Sequence, residues 1–343
     1  MSFAIRRVVT GHDPDGRAVF RSDDAPPRTI SAPNGFGVSE VLWLDGPPRS
    51  VDDGRDVTDG PFLLEPPAGG GSVRVIRMPP AAPGTPVDEQ WLRVHGDDDA
   101  EPGMHATDTL DFMVVLSGEI VLGTDDGERV LGAGDTVVQR GTRHRWRVHG
   151  DEPCTYAVCM VRPDPDAAGD VTGLTSGGAG ELGPRRVVVT TGSDGRSSVS
   201  VDGPAPCGFS TGPGGVTLVD LWQTGGPCAA AQQGGDPDGG WALDPVGDGV
   251  AFRAIAMGAG NDPGDAGWHA TATIDVDIVV SGQLELALPD VEPVVLGPGD
   301  CVVQRGTMHR WRPVGDDDVR YVAVMLPVVP AGRPVVPAGR PAG

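Results

Sequence analysis

Residues 105–144 read HATDTLDFMVVLSGEIVLGTDDGERVLGAGDTVVQRGTRH, and residues 269–309 read HATATIDVDIVVSGQLELALPDVEPVVLGPGDCVVQRGTMH. The second stretch repeats the first with one additional residue. Both hold H-A-T-x-T, an Asp six residues after the opening His, then S-G, then G-D-x-V-V-Q-R-G-T-x-H-R-W-R. A match of this length does not arise from composition, so the chain is read as two related units. Inside each unit strand follows strand: FMVVLSGEIVLG reads as strand, tight S-G turn, strand. D-D-G-E then supplies the next turn, and RVLGAGDTVVQ continues with period two. After the closing His come HRWRV and TYAVCMV, mirrored by HRWRP and RYVAVML. Short strands, Gly and Pro turns and no sustained helical period predict an all-β protein, each half a barrel or jelly roll.

The duplication extends outward from these blocks. IRRVVTGHDPDGRAVF at 5–20 has alternating apolar positions around a D-P-D-G turn, the pattern of a hairpin, and PRRVVVTTGSDGRSSVSV at 184–201 is its counterpart. Trp43 and Trp222 stand at the same offset as Arg6 and Arg185. This assigns 1–162 to a first barrel with its lead-in strands, 163–183 to a Gly-, Pro- and Asp-rich linker, and 184–327 to a second barrel. The tail from Val328 repeats a Pro/Gly unit and is expected to be disordered. Before the first motif lies an insertion, PPAAPGTPVDEQWLRVHGDDDAEPG, whose composition is that of a surface loop and whose place beside the motif is that of a lid. His12 and His95 have no partner in the second copy and read as surface residues.

Composition narrows the function. The net charge of −22 opposes a nucleic-acid partner, and no basic stripe relieves it. All 26 basic residues are Arg, which excludes Schiff-base chemistry on a lysine. Five cysteines with no C-x-x-C pair read as reduced thiols. The N-terminus lacks a signal peptide and no apolar run is long enough to span a membrane, so a cytoplasmic protein is expected. No nucleophile elbow, P-loop or dinucleotide fingerprint is present.

The two motif blocks resemble the cupin superfamily, and their doubling resembles a bicupin. The family's motifs run G-x5-H-x-H-x3-4-E-x6-G and G-x5-P-x-G-x2-H-x3-N on the strands of a small β-barrel, a double-stranded β-helix. His105, Thr107, Asp111 and Gly118 fall on the first motif, as do His269, Thr271, Asp275 and Gly282. The second motif begins at Gly134 and Gly299, with its His at His144 and His309. Both copies depart from the family in the same way: Thr replaces one His, Asp replaces Glu, and Q-R precedes the second Gly. This Q-R-G-T-x-H-x-W form looks like a particular branch, to which the fold transfers better than any activity.

Residues 105, 107 and 111 lie on or near one strand at spacings that put their side chains on one face, and His144 must come from a neighbouring strand. Two imidazoles and one carboxylate meeting in a barrel mouth make a 2-His-1-carboxylate set, suited to Fe(II) and open to Mn, Ni or Zn. The sets are His105, Asp111 and His144, and His269, Asp275 and His309. The other reading is a polar pocket lining that binds no metal. Thr107 and Thr271 are poor ligands and are expected to make a structural or outer-sphere hydrogen bond rather than to coordinate. Gln139, Arg140, Gln304 and Arg305 are candidates to hold a carboxylate or phenolate, with an internal ion pair as the competing role for each Arg. Trp146 and Trp311 wall the pocket or pack between sheets. Tyr156 and Tyr321 occupy matching places and read as core. Met104 and Trp268, Phe112 and Val276, and Arg143 and Met308 are differences expected to change pocket width and charge.

Three functions follow, all with a small-molecule substrate. The first is a metal-dependent, dioxygenase-like oxidoreductase of secondary metabolism. The second is an isomerase, decarboxylase or cyclase using His and Asp as acid and base, with or without a metal. The third is a non-catalytic binding bicupin. Two barrels in one chain mimic a dimer of single barrels, so both a monomer and a homodimer suit the sequence.

Overall fold

The structure, a computed structural model, describes residues 3, 5–54, 62–94, 96–98, 100–167, 171–175, 180–239 and 241–328. The only helical turns among them are three 3-10 pieces at Val87–Glu89, Val246–Asp248 and Gly264–Gly267. The expected all-β architecture, two β-barrels in tandem, is what the chain forms. The first barrel has a large sheet containing Gly37–Leu44, Gly71–Met78, Cys154–Val161, Leu110–Ser117 and Thr136–Arg140. A three-stranded sheet of Arg145–His149, Glu119–Thr124 and Gly127–Gly132 closes it. The second barrel repeats this with Val216–Gln223, Ala251–Met257, Val319–Pro327, Thr273–Ser281 and Cys301–Arg305, closed by Val294–Leu296, Gln283–Ala287 and Arg310–Val314.

Period-two alternation sorts the side chains. On Leu110–Ser117, Leu110, Phe112 and Val114 join the core shared by the two barrels, while Met113 and Val115 join the core inside the first barrel. Phe112 stacks on Phe252 across the shared core, with ring centroids 5.1 Å apart. The Phe112 to Val276 difference therefore changes packing between barrels, not the pocket, because the strand turns that position away from the cavity. The S-G turn is a corner rather than a hairpin: the strand before it lies in the large sheet and the strand after it in the small one. Gly118 turns that corner at φ +71°, where a Cβ would lie 2.4 Å from the Pro153 carbonyl oxygen.

The lead-in hairpins correct the expected boundaries. Arg7–His12 and Ala18–Asp24 pair around the D-P-D-G turn as read, but the first of them lies parallel to Cys301–Arg305 of the second barrel, Val8 opposite Val302. The counterpart hairpin, Leu182–Thr191 and Ser197–Ala205, lies parallel to Thr136–Arg140 of the first barrel. Each hairpin thus completes the other unit, so the boundaries at 162 and 184 follow the chain and not the sheets. The physical reason is that both faces of the strand are apolar: Val8 packs inside the second barrel and Val9 in the shared core. Only a place between the two cores buries both. Arg6 and Arg185 pin the exchange by donating to the Val295 and Val130 carbonyls at 2.6 and 2.8 Å.

The segment expected to be a free linker is partly structured. Leu174–Thr175 pairs with Asp236–Pro237, and the Asp164 N–H donates to the Cys228 carbonyl at 2.9 Å. Residues 168–170 and 176–179, the tail from 329 and His95 lie outside the described residues. All five cysteines are free thiols. No helix among the described residues is long and apolar enough to cross a membrane.

Candidate functional site

His105 and His144 are 39 positions apart in the chain and directly opposite each other in the fold. They form an isolated antiparallel bridge in which each N–H donates to the other's carbonyl, at 3.0 and 2.8 Å. That register puts both side chains on one face, with ring centroids 4.3 Å apart. His269 and His309 repeat the bridge, with rings 4.2 Å apart. In all four residues the ring Nδ1 lies against the carbonyl oxygen two residues earlier: Gly103, Thr142, Gly267 and Thr307, at 2.8 to 2.9 Å. Nδ1 is therefore the donor, and Nε2 presents a lone pair. Burial holds the His144 and His309 pKa values down at about 3 and lowers that of His105, so these rings are neutral at physiological pH.

Asp111 stands in the same cavity. Desolvation raises its pKa to about 7, against the hydroxyls of Thr109 and Thr107, which favour the ionised form. Thr107 Oγ1 reaches Asp111 Oδ2 at 3.5 Å, and Thr271 Oγ1 donates to Asp275 Oδ2 at 2.8 Å, a partner the sequence did not specify. Oδ1 of each Asp is buried with no hydrogen-bond partner. Burial raises Asp275 to about 6.

In the first barrel the cavity has a volume of about 210 Å³ and is mostly apolar. Gln139 lines it beside Asp111, its cross-strand neighbour. Trp146 lines it too, edge-on to His144 at 5.8 Å and stacked on Tyr156 at 6.3 Å, so it is both pocket wall and core. Trp311 repeats those contacts with His309 and Tyr321 at 5.7 and 5.6 Å. The insertion supplies part of the wall: Leu92, Arg93 and Val94 line the cavity, and the Leu92 N–H donates to the Trp146 carbonyl at 2.8 Å. Arg140 and Arg305 do not line it. Arg140 reaches the Gln232 carbonyl and covers the Trp222 ring at 5.2 Å, and Arg305 donates to the Val51 carbonyl at 2.9 Å. Both tie one copy to a loop of the other, because a guanidinium at the end of its strand reaches the loop carbonyls beyond it. Of the two candidates in the first barrel, Gln139 lines the cavity and Arg140 does not.

Sequence reasoning missed two features. Arg74, 2% exposed, pairs with Glu40 at 3.1 Å, donates to the Leu63 and Leu64 carbonyls at 2.5 and 2.6 Å, and sits 4.5 Å from the Phe62 ring. Phe62 and Leu64 line the cavity, so this buried ion pair holds a loop against it. Arg253 and Asp220, paired at 2.7 Å, are the equivalent pair in the second barrel, where Arg253 donates to the Ala242 carbonyl at 2.7 Å. The signal was present, since Arg74 and Arg253 share the repeat offset. The second miss is Asp277, which occupies the place of Met113. It is buried, and desolvation followed by the neighbouring Asp275 raises its pKa well above the ordinary carboxylate value. A carboxyl raised on folding stabilises fully below the ordinary value near 3.8 and loses that contribution as the pH rises through the folded value. Asp277→Met is expected to stabilise the protein at pH 8 by on the order of 2 kcal/mol in urea unfolding, and by little at pH 4. An equal gain at both values would show that Asp277 is not the group titrating.

Whether this cavity suits the metal ion of the resembled family is decided by its donors. The imidazole pair fits: both rings are neutral and anchored at Nδ1, with Nε2 free. The carboxylate does not complete a ligand set. Among the described residues no group of three His, Cys, Asp or Glu side chains is placed to hold a metal ion. Asp is one methylene shorter than the family's Glu, and ligand distances tolerate only about 0.2 Å. The expected groups 105, 111 and 144 thus share a cavity without forming a three-ligand centre, and the 269, 275 and 309 groups form none either.

Comparison with known proteins agrees with this architecture. A family model described as "Cupin domain" matches residues 91–161. The chain is 33% identical over 182 residues to phomopsin biosynthesis cluster protein C' of Diaporthe leptostromiformis, covering 49% of this chain and 86% of that protein. It is 30% identical over 153 residues to oryzines biosynthesis cluster protein J of Aspergillus oryzae, covering 42% and 74%. To the cupin-domain-containing oxidoreductase fogC of Aspergillus ruber it is 28% identical over 154 residues, covering 41% and 62%. With a barrel of this design repeated along its length and relatives matched over most of their own, the chain belongs to the cupin superfamily.

Proposed function

We propose that the chain is an enzyme of small-molecule biosynthesis that moves a proton on an oxygenated, largely apolar organic substrate in the first barrel. One juxtaposition carries the reading: the unpartnered Asp111 Oδ1 and two neutral imidazoles share a single apolar-walled cavity. A carboxyl whose pKa is raised to about 7 serves as base and, once it has taken the proton, as acid. His105 and His144, with lone pairs at Nε2, accept hydrogen bonds from substrate hydroxyls and so orient the molecule. Asp111 takes a proton from carbon beside a carbonyl and returns it at another atom of the same molecule, an isomerisation with no net redox change. The apolar walls exclude water from competing for that proton. The names of the relatives, biosynthesis cluster proteins among them, agree with a small-molecule substrate.

The test is deuterium exchange in D2O at the acidic carbon of a cyclic β-dicarbonyl, in anaerobic buffer with chelator. Wild type is expected to accelerate exchange and a His105→Gln, His144→Gln double variant to lose most of that acceleration. No acceleration by wild type overturns the reading. A second reading, oxygenase-type chemistry with a metal on the imidazole pair, is favoured by the Nδ1 anchoring of all four histidines. The oxidoreductase name of one relative points the same way. Under that reading metal co-purifies with the chain and oxygen is consumed with substrate, so metal analysis and oxygen uptake separate the two.

A further inference from the structure

We infer that Gln139 reads the hydrogen-bonding edge of the first barrel's ligand, and that this ligand is a small ring compound with a neutral donor-acceptor edge, a lactam or carboxamide. The inference rests on the first cavity being the substrate site, and it separates the two barrels: the first takes this ligand and the second does not.

The argument starts from one residue in each exchanged hairpin. Gln304 in the second barrel also has a buried Nε2 without a partner, but its oxygen is satisfied: Thr10 Oγ1 donates to Gln304 Oε1 at 2.5 Å. The same hydroxyl accepts from the Arg305 N–H and from Thr307 Oγ1, each at 3.0 Å. In the first barrel the residue opposite Gln139 on the exchanged strand is Val189, which has no hydroxyl. Gln139 is 3% exposed, and its Nε2 and Oε1 are both buried without a partner, as is Thr142 Oγ1. An amide in this state is costly to fold, and native proteins keep such groups where something else completes them. What completes this one enters the cavity, because Gln139 is part of its wall.

The cavity's size and walls define the rest. An apolar cavity of about 150 Å³ holds benzene. At about 210 Å³, with Met113, Val137, Tyr156, Val158 and Met160 among its walls, this one has room for a single substituted ring. A primary amide presents one donor and one acceptor side by side, and its complement is the cis-amide of a lactam or a carboxamide, which answers both at once. An anionic ligand would face Gln139 Oε1 and the Asp111 carboxyl across the same strand pair.

Titration of the full chain with 2-pyridone in a calorimeter tests this, with N-methyl-2-pyridone, which lacks the donor, as control. One site per chain is expected, with the N-methyl compound at least tenfold weaker. Gln139→Met is expected to weaken 2-pyridone at least tenfold while raising the Tm of the free protein by about 1–3 °C, since it removes an unsatisfied buried amide. Val189→Thr supplies the missing hydroxyl and is expected to weaken binding comparably. Gln304→Met should leave binding unchanged and lower the Tm. Absence of saturable 2-pyridone binding, equal affinity for the N-methyl compound, or a Gln139→Met variant with unchanged affinity or a lower Tm each overturns the proposal. The last result would mean that ordered water already satisfies Gln139. Binding that follows these expectations while the deuterium exchange fails would remove the proton-transfer reading and leave this one standing.

Discussion

Val8→Asp, a change eight residues from the N-terminus, is expected to unfold the barrel formed by the C-terminal half of the chain. Val8 is fully buried, packs with the interior of the second barrel, and lies opposite Val302 on the parallel strand. A carboxylate at that place would lie among apolar side chains, and the buried Arg253 of this barrel is already paired with Asp220 at 2.7 Å. The cost is on the order of 3–5 kcal/mol, the range for a buried charge left without a partner. Hydrogen exchange read by mass spectrometry locates the damage. Protection is expected to fall first in Cys301–Arg305 and Thr273–Ser281, while Thr136–Arg140 and Leu110–Ser117 retain theirs longer. The mirror variant Val187→Asp should reverse the order, because Val187 packs inside the first barrel. Loss of protection in the same barrel for both variants would contradict the exchange of hairpins.

That exchange was not legible in the sequence, and the reason is specific. R-R-V-V opens both hairpins, so the strand has equal apolar complementarity to either barrel, and pattern alone assigns it to its neighbour in the chain. The barrels themselves were legible because the duplication fixes strands, turns and the four histidines at matching places in the two copies. The His105 to His144 bridge was foreseen only as convergence, since its register comes from pairing across the sheet. Period two also carried information that was left unread. The alternation that puts Asp111 in the cavity puts Phe112 outside it and Met113 inside, so the consequential difference between the copies is Met113 against Asp277. For Arg140 and Arg305 the sequence left two roles open, because strand position gives the direction of a long side chain but not its acceptor, and here the acceptors are loop carbonyls of the other copy.

Asp111→Asn is expected to reduce the proton-exchange rate by about 10²–10⁴-fold, the usual contribution of a positioned acid-base group, while making the folded protein more stable above neutral pH. The two effects have one origin. Burial lifts the Asp111 pKa from 3.8 to about 7, so the native state holds a proton that the unfolded chain releases near pH 4. Its contribution to stability is therefore complete below pH 3.8 and gone once the pH has risen through about 7, where the ionised carboxylate sits in an apolar cavity with Oδ1 unpaired. Asparagine carries no charge at any pH and escapes that loss. The wild-type rate should rise with pH through a single midpoint near 7 and then level off, as Asp111 becomes available as base. Neither His144, held near 3, nor the lowered His105 adds a limb in that range. Rate profiles and urea unfolding of both proteins at pH 6 and pH 8.5 check this. An Asn variant that loses activity and also loses stability at pH 8.5 would mark Asp111 as a structural group, whereas activity lost with stability gained is the signature of a carboxyl kept in the cavity for its chemistry.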